Sequence, residues 1–516
     1  MELSIPVCSL FAVFLLSKNP LLAQHTPLLE RPLTLQTELG GLVSSSSRTP
    51  FWLQTNQFGT VPISTPTALL RGNLRSDYVQ ANSLHPRPKI DWGAGLEVVG
   101  QAGSVNQVVL AEAYLKGRWG VFEFFGGRRK QRLGMAESTL SSGSFIWSGN
   151  ALPLPRVEIS IPEYAPLGFT KNWLALKGWF AHGWFGNGTY VQRSYLHQKA
   201  IYFRLGPEQG RVRLYGGFNQ QAQWSGYAPF LETDPTSSFG GQLADSFEAY
   251  VNVVLPRKTD ALKNLAKFTT YDQNRVGDHR GSVEGGLEIQ TAGWSVFAYQ
   301  QHFFEKGRNL YTLRNIEDGL YGIRLLNKRA AQPVQEVVLE LFNSGNQGII
   351  HFNRGVVQPE DDYFVNGQYP DSWSYRGRTI GTPFISQTND AREDLPQREF
   401  FGYTLDNRLI SGSYGITNNR VWALYAGVSG VVSRGWGYEV RASFSRNYGS
   451  FSVPFPKRAE QLSTSASLNK PMRWLGGSTL LVSVGYDQGQ LLRSPSQVGT
   501  YVGLRKVWRS PAANRQ

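Results

Sequence analysis

Residues 201–218 read IYFRLGPEQGRVRLYGGF. Ile201, Phe203 and Leu205 alternate with Tyr202 and Arg204. After a short interruption, Val212, Leu214, Gly216 and Phe218 interleave with Arg211, Arg213 and Tyr215. Successive side chains of an extended chain point to opposite faces, so each half has one apolar and one polar face. The period recurs along the chain. Val283, Gly285, Leu287 and Ile289 alternate with Glu284, Gly286, Glu288 and Gln290. Tyr438, Val440, Ala442 and Phe444 alternate with Glu439, Arg441 and Ser443. Leu480, Val482, Val484 and Tyr486 alternate with Leu481, Ser483, Gly485 and Asp487, and a last such segment carries Val502, Leu504, Lys506 and Trp508. Phe247, Ala249, Val251, Val253 and Leu255, interleaved with Glu248, Tyr250 and Asn252, read as another strand. Only residues 259–268, with Leu262, Leu265 and Phe268 at near-helical spacing, predict a short helix.

Working outward, composition narrows the class. The chain has 516 residues, 52 Lys plus Arg against 38 Asp plus Glu, 13% aromatics and 55 Gly. So many aromatics exclude a disordered tail protein, and so much Gly argues against a coiled coil. A single cysteine, Cys8, excludes a disulfide scaffold. Val7–Leu16 is too short an apolar run to span a bilayer and suits the core of a signal peptide over residues 1–24, with small Ala23 near its end. Beyond Leu22 no apolar run approaches a membrane helix. A secreted sandwich or a transmembrane barrel is left.

Three features favour the barrel. The alternating segments have about nine or ten residues, the length a tilted membrane strand needs. Their polar faces mix charges of both signs, including Arg204, Arg211, Glu248, Glu288 and Arg441, as a wet lumen tolerates. Trp173, Trp179, Trp184, Trp422, Tyr438 and Trp508 cluster at segment ends, where amphipathic rings meet a membrane interface. The prediction is an all-β fold: a transmembrane antiparallel β-barrel over residues 25–516, of about 18 strands. Long polar connections near 140–170, 225–245 and 353–400 are expected to lie outside or to fold into the lumen and occlude it.

Little in the sequence supports bond-making chemistry. No G-x-S-x-G elbow, H-E-x-x-H, C-x-x-C or glycine-rich phosphate loop occurs. Asp278-His279 resembles an acid/base or metal pair but reads better as a cap on a tight turn after Gly277. Asp361-Asp362 reads as backbone acceptors at a loop tip rather than a cation site. No enzyme activity, cofactor or metal is expected. Sugars offer hydroxyls for planar polar groups, C–H faces for aromatic rings and, in acidic polymers, carboxylates for Arg forks. Two loops carry that material. One contains Trp147, Asn150 and Arg156; the other contains Asp361, Asp362, Tyr363, Asn366, Trp373, Tyr375, Arg376 and Arg378. Arg128-Arg129-Lys130-Gln131-Arg132 is the densest basic run, suited to acidic polymer or to lipid phosphate. Nucleic acid is a poor partner, since the basic residues are dispersed over alternating strands.

Several phrases are specific: TPFWLQTNQFGTVP from Thr49, LSSGSFIWSGNALPLP from Leu140, NRVGDHRGS from Asn274, EDGLYGI from Glu317, DDYFVNGQYPDSWSYRGRTIGTP from Asp361 and NNRV from Asn418. In order and spacing they resemble the Wzi-type capsule assembly family of outer-membrane proteins, over roughly Thr49 to Trp508. The resemblance implies an 18-stranded outer-membrane barrel of a Gram-negative cell and a lectin-like role, binding or organising capsular or surface polysaccharide at the cell surface. Expected partners are acidic capsular or surface polysaccharide, outer-membrane lipid or lipopolysaccharide, and the barrel assembly machinery, with the barrel acting as a monomer. A porin or polysaccharide export channel is the first alternative and an outer-membrane hydrolase the second. Two departures stand out. Family members carry a periplasmic helical bundle, for which this sequence offers one short helix at most. Within LYGGFNQQAQWSG (Leu214–Gly226), a family His is expected near Asn219 or Gln220.

Overall fold

The computed structural model describes residues 31–79, 88–136, 138–256, 267–273, 275–351 and 357–510. The signal-peptide segment and most of the helix expected over 259–268 lie outside them. Eighteen antiparallel strands form one closed sheet. In chain order they are β1 (Leu33–Ser44), β2 (Thr67–Ser76), β3 (Ile90–Gly103), β4 (Gln107–Trp119), β5 (Phe122–Arg128) and β6 (Arg156–Pro166). Next come β7 (Leu174–Asn187), β8 (Gln192–Leu205), β9 (Val212–Trp224), β10 (Asp278–Gln290), β11 (Trp294–Phe304) and β12 (Gly319–Asn327). The ring is completed by β13 (Glu336–Asn343), β14 (Val421–Val432), β15 (Trp436–Gly449), β16 (Pro454–Met472), β17 (Ser478–Gly489) and β18 (Ser496–Arg509). Each strand pairs with its chain neighbours, and β1 closes onto β18 with Leu39 opposite Leu504. An even count puts the start of β1 and the end of β18 at one rim, and closure leaves no bare edge.

The two faces sort as an outer-membrane barrel requires. Leu39, Leu70, Leu115, Phe124, Phe203, Leu214, Leu339 and Leu504 are exposed on the outer wall. Their strand neighbours Glu38, Glu97, Lys116, Glu123, Arg204, Glu284, Glu340 and Arg441 are buried inside. Water-soluble folds bury the apolar set; this one presents it to hydrocarbon. Trp184 and Trp508 project outward near strand ends. Trp179, read above as an interface ring, instead points inward and stacks on Tyr202 at 5.4 Å. Turns at the rim holding the chain ends are short, as at 120–121, 206–211 and 291–293. Segments 45–66, 129–155, 225–277 and 344–420 emerge at the opposite rim, the extracellular side by the loop asymmetry of bacterial barrels.

Much of 129–155 and 344–420 folds back into the lumen. Phe145, Trp147, Tyr363, Phe364 and Trp373 form one buried apolar cluster with the inward wall residues Trp179, Tyr202, Phe303, Phe342 and Tyr425. Phe145 stacks on Phe303 at 3.7 Å. Wall polar groups hold the plug backbone: Glu284 accepts from Met135 N at 2.6 Å, Glu340 from Ser142 N at 2.7 Å and Gln301 from Phe145 N at 3.0 Å. Three short α-helices occur among the described residues: α1 (Phe51–Gln54), α2 (Phe247–Val254) and α3 (Gly307–Thr312). None is long and apolar enough to cross a membrane as a helix.

Two local expectations are corrected. Phe247–Leu255 is not a strand. Ser246 caps α2 by accepting from Ala249 N at 3.1 Å, and the buried residues Ala249, Asn252 and Val253 follow helical spacing. Asp278 and His279 open β10 rather than cap a turn, so they point to opposite faces. Asp278 pairs with Arg280, while His279 Nδ1 lies 2.7 Å from Gln220 Nε2.

Candidate functional site

The structure separates the candidate residues into buried and accessible sets. Trp147 is buried and donates to Gln131 O at 3.1 Å, with the Arg156 guanidinium 5.0 Å from its ring centroid. Asn150 Nδ2 donates to Thr379 O at 3.0 Å. Arg156 opens β6, is buried inside the barrel, and pairs with Glu158 at 3.2 Å. Asp361 accepts from Lys306 N and Asn309 Nδ2, both at 2.8 Å, and from Glu305 N at 3.3 Å. Its lone pairs are taken by loop 305–309, which matches the backbone-acceptor reading. Tyr363 donates to Asp318 at 2.8 Å and Trp373 Nε1 to Ile146 O at 2.8 Å. Arg128 donates to Tyr375 Oη at 2.7 Å. Arg378 donates to Gln54 Oε1 and Val61 O, and burial pulls its guanidinium down to about 10. These groups belong to the plug or, as Arg128 and Arg156, to the wall that holds it. Asp362, paired with Arg398 and with Asn419 Nδ2, is partly accessible, and so is Asn366; Arg376 is exposed.

The basic run is likewise internal. Arg129 pairs with Glu123, Lys130 with Glu97 at 2.6 Å, and Arg132 donates to Asn56 O at 3.3 Å. Two of its charges are paired with lumen-wall carboxylates, and Arg128 and Arg132 reach neutral oxygens of the inward connections.

An accessible site lies beside the plug at the extracellular rim. A groove of about 520 Å³ opens between the β7–β8 turn, the tip of the 371–377 plug segment, and segments 387–397 and 413–415. Its floor is set by Asp371, whose carboxylate accepts from Thr189 N at 2.9 Å and from Tyr190 N and Val191 N at 3.0 Å. Those bonds clamp the β7–β8 turn to the plug. Asn187, Tyr190, Arg376, Asn389, Gln397 and Tyr414 supply amide, phenol and guanidinium groups. Tyr190 packs edge-on against Phe400 at 4.6 Å, and Tyr414 does so at 5.4 Å. Burial, and for Tyr190 the Asp371 charge, pushes both phenols above their ordinary range, so both stay neutral donors.

Arg376 is the unusual member. Ser374-Tyr375 pairs with Arg378-Thr379, leaving Arg376 and Gly377 as the two turn residues, at φ 52° and 73°. A two-residue hairpin with both centres at positive φ favours Asn-Gly, so a long cation stands where a small residue is preferred. Its guanidinium lies 5.9 Å from the Tyr375 ring centroid and makes no ion pair among the described residues. Of the sequence candidates, only Tyr375 and Arg376 line the groove. Asn187, Tyr190, Asn389, Gln397 and Tyr414 escape sequence reading because separate segments contribute them. The one usable signal is the mixed Asn, Gln and Tyr content of 187–190 and 387–397. Where a family His was expected, Asn219 faces the lumen and Gln220 faces outward beside His279. No cluster of three or more His, Cys, Asp or Glu placed to hold a metal occurs among the described residues.

The fold has relatives among solved structures. The chain is similar to Wzi of Escherichia coli, an outer-membrane protein involved in group 1 capsule assembly and described as a carbohydrate-binding β-barrel. The TM-score is 0.54 and the identity 13%, over 91% of this chain and 84% of that one. OccK3 of Pseudomonas aeruginosa follows at TM-score 0.45 and 9% identity, covering 93% of this chain and 96% of that one. OccAB4 of Acinetobacter baumannii has TM-score 0.45 and 7% identity, covering 93% and 98%. At these identities the likeness to Wzi is one of fold: a closed 18-stranded barrel of the outer-membrane type. No protein-family model and no curated protein sequence matches the chain.

Proposed function

We propose that this barrel binds exported acidic polysaccharide at the outer face of the outer membrane, using the rim groove rather than a channel. The observation that carries the reading is Arg376, an exposed guanidinium held at positive φ over a groove of amides and phenols. Such backbone conformations are enriched at functional sites, and here the turn presents the fork at the groove. A planar fork suits a sugar carboxylate, and tyrosine faces and edges suit the C–H surfaces of sugar rings. The reading gives this protein a carbohydrate-binding role, as stated for Wzi, and adds that it holds polymer at the cell surface with no bond made or broken.

The test uses purified protein in detergent and immobilised polymers, one rich in uronic acid and one neutral. Asn187, Arg376 and Asn389 are exposed, so Asn187→Ala, Arg376→Ala and Asn389→Ala combined should leave the heat-resistant barrel intact. Capture of the acidic polymer should fall at least tenfold, and a deletion strain should shed polymer into the medium. Unchanged capture by the triple variant would remove the groove from the reading. Reducing sugars released from the polymer on incubation would favour a hydrolase instead.

A further inference from the structure

The start of 225–277 joins the plug cluster through Phe230, Leu231 and Leu243, but helix α2 of the same connection lies elsewhere. Its contacts place it outside the barrel. Tyr250 meets the His182 ring at 5.8 Å, the His197 ring at 6.0 Å and the Trp224 ring at 5.4 Å. His182 shares strand parity with exposed Phe180, His197 with exposed Ile201 and Phe203, and Trp224 with exposed Leu214. These are outward-facing positions, and α2 covers them.

The wall beneath α2 is not apolar. His197, Lys199, Gln220 and His279 all face outward there, and Lys199 Nζ donates to Val254 O at the last turn of the helix. In register, Lys199 stands beside Phe180, which faces lipid. A bare ammonium at that level would face hydrocarbon at considerable cost. The carbonyl end of a helix carries the complementary partial charge.

The far side of α2 is greasy too. Phe247 is 81% and Leu255 59% exposed, and Val251 and Val254 continue the same face at i+4 and i+7. The wall side holds Ala249, Asn252 and Val253. Apolar residues on both sides mark a helix that sits in an apolar medium. Its single charge, Glu248, is neutralised by Lys267 at 2.8 Å.

We infer that α2 is immersed in the outer leaflet of the membrane, strapped to the outer wall of β7–β10, where it screens Lys199 and the neighbouring histidines from acyl chains. Its partner is the hydrocarbon of the outer leaflet, continuous with the apolar wall around it. Its C-terminal end is held at the level of Phe180, while Tyr250, nearer its start, reaches Trp224 at the end of β9.

Single-cysteine spin labels test this directly, in a Cys8→Ser background because Cys8 is the one cysteine. Phe247→Cys and Leu255→Cys carry the label, with Phe203→Cys as a lipid-facing control and Glu393→Cys as an aqueous one. Both test sites are exposed, so folding, checked by heat-modifiable gel migration, should survive. In vesicles of outer-membrane phospholipid, collision with oxygen and with a water-soluble nickel chelate is measured. The Leu255→Cys label should match Phe203→Cys in favouring oxygen, with Phe247→Cys shallower but still on the lipid side. A Leu255→Cys label as open to the nickel chelate as Glu393→Cys overturns the inference.

Discussion

Replacing Arg376 by Asn should move stability and binding in opposite directions. A non-glycine residue in left-handed backbone costs roughly 1–2 kcal/mol, and Asn tolerates it best of the residues with side chains. At φ 52° beside Gly377, Arg376→Asn therefore stabilises the Ser374–Thr379 hairpin by about 1 kcal/mol. The same change removes the guanidinium. A hydrogen bond to a charged group contributes about 1.5–3 kcal/mol, and about 1.4 kcal/mol is tenfold in affinity. Binding of a uronate-containing oligosaccharide should thus weaken by roughly tenfold to a hundredfold at low salt. The loss should shrink as salt screens the wild-type attraction. Arg376→Lys keeps charge without the fork and should fall between. Biolayer interferometry at two ionic strengths reads the affinity, and amide exchange at Tyr375 and Thr379 reads the hairpin. Equal affinity for wild type and Asn variant, with the hairpin slower to exchange as expected, would refute a functional origin for the strained turn.

Three further outcomes follow from the plug. Trp373 is fully buried with Arg280 4.1 Å over its ring, so Trp373→Ala should cost about 3–5 kcal/mol of plug stability and open 344–420 to trypsin while the barrel keeps its heat resistance; an unchanged digestion pattern would contradict the packing. Asp318 is raised by burial from the usual 3.8 to about 6, although it accepts from Asn346 N at 2.9 Å and Tyr363 Oη at 2.8 Å. The folded chain then binds this proton more tightly than the unfolded one, so this group's contribution to stability is full below about pH 4 and falls by about 3 kcal/mol as pH rises through about 6. Asp318→Asn should flatten that slope in urea midpoints taken across pH; parallel wild-type and variant curves would exclude it. In planar bilayers the wild-type barrel should carry no large steady current, and a porin-scale conductance would rule out a sealed plug.

The barrel was legible because a two-residue period survives any tertiary context. Leu214 and Phe218 face out, and Arg204 and Arg441 face in, whatever the loops do. The helix at Phe247–Val254 reads as a strand because Phe, Ala, Val, Val and Leu at every second place satisfy both periods over so short a run. Its cap, Ser246, was the better signal. The aromatic loop stands out in the sequence, and occlusion of the lumen by such connections is expected, but which of its residues pack the plug and which stay accessible is not legible. Trp373 earns its burial from Ile146 and Arg280, distant in sequence, and such pairings leave no local pattern. The groove is illegible for the same reason: Asp371, in the β13–β14 connection, clamps the β7–β8 turn.

The seam between the first and last strands has its own consequence. Ser510 Oγ donates to Arg31 O at 3.1 Å, and Glu38 accepts from Tyr501 at 2.6 Å and Arg505 at 2.7 Å. A chain cut short before Ser496 would keep seventeen staves and two raw edges in oil. Shortening the C-terminus should therefore act as a step, harmless up to the last rung and ruinous beyond it.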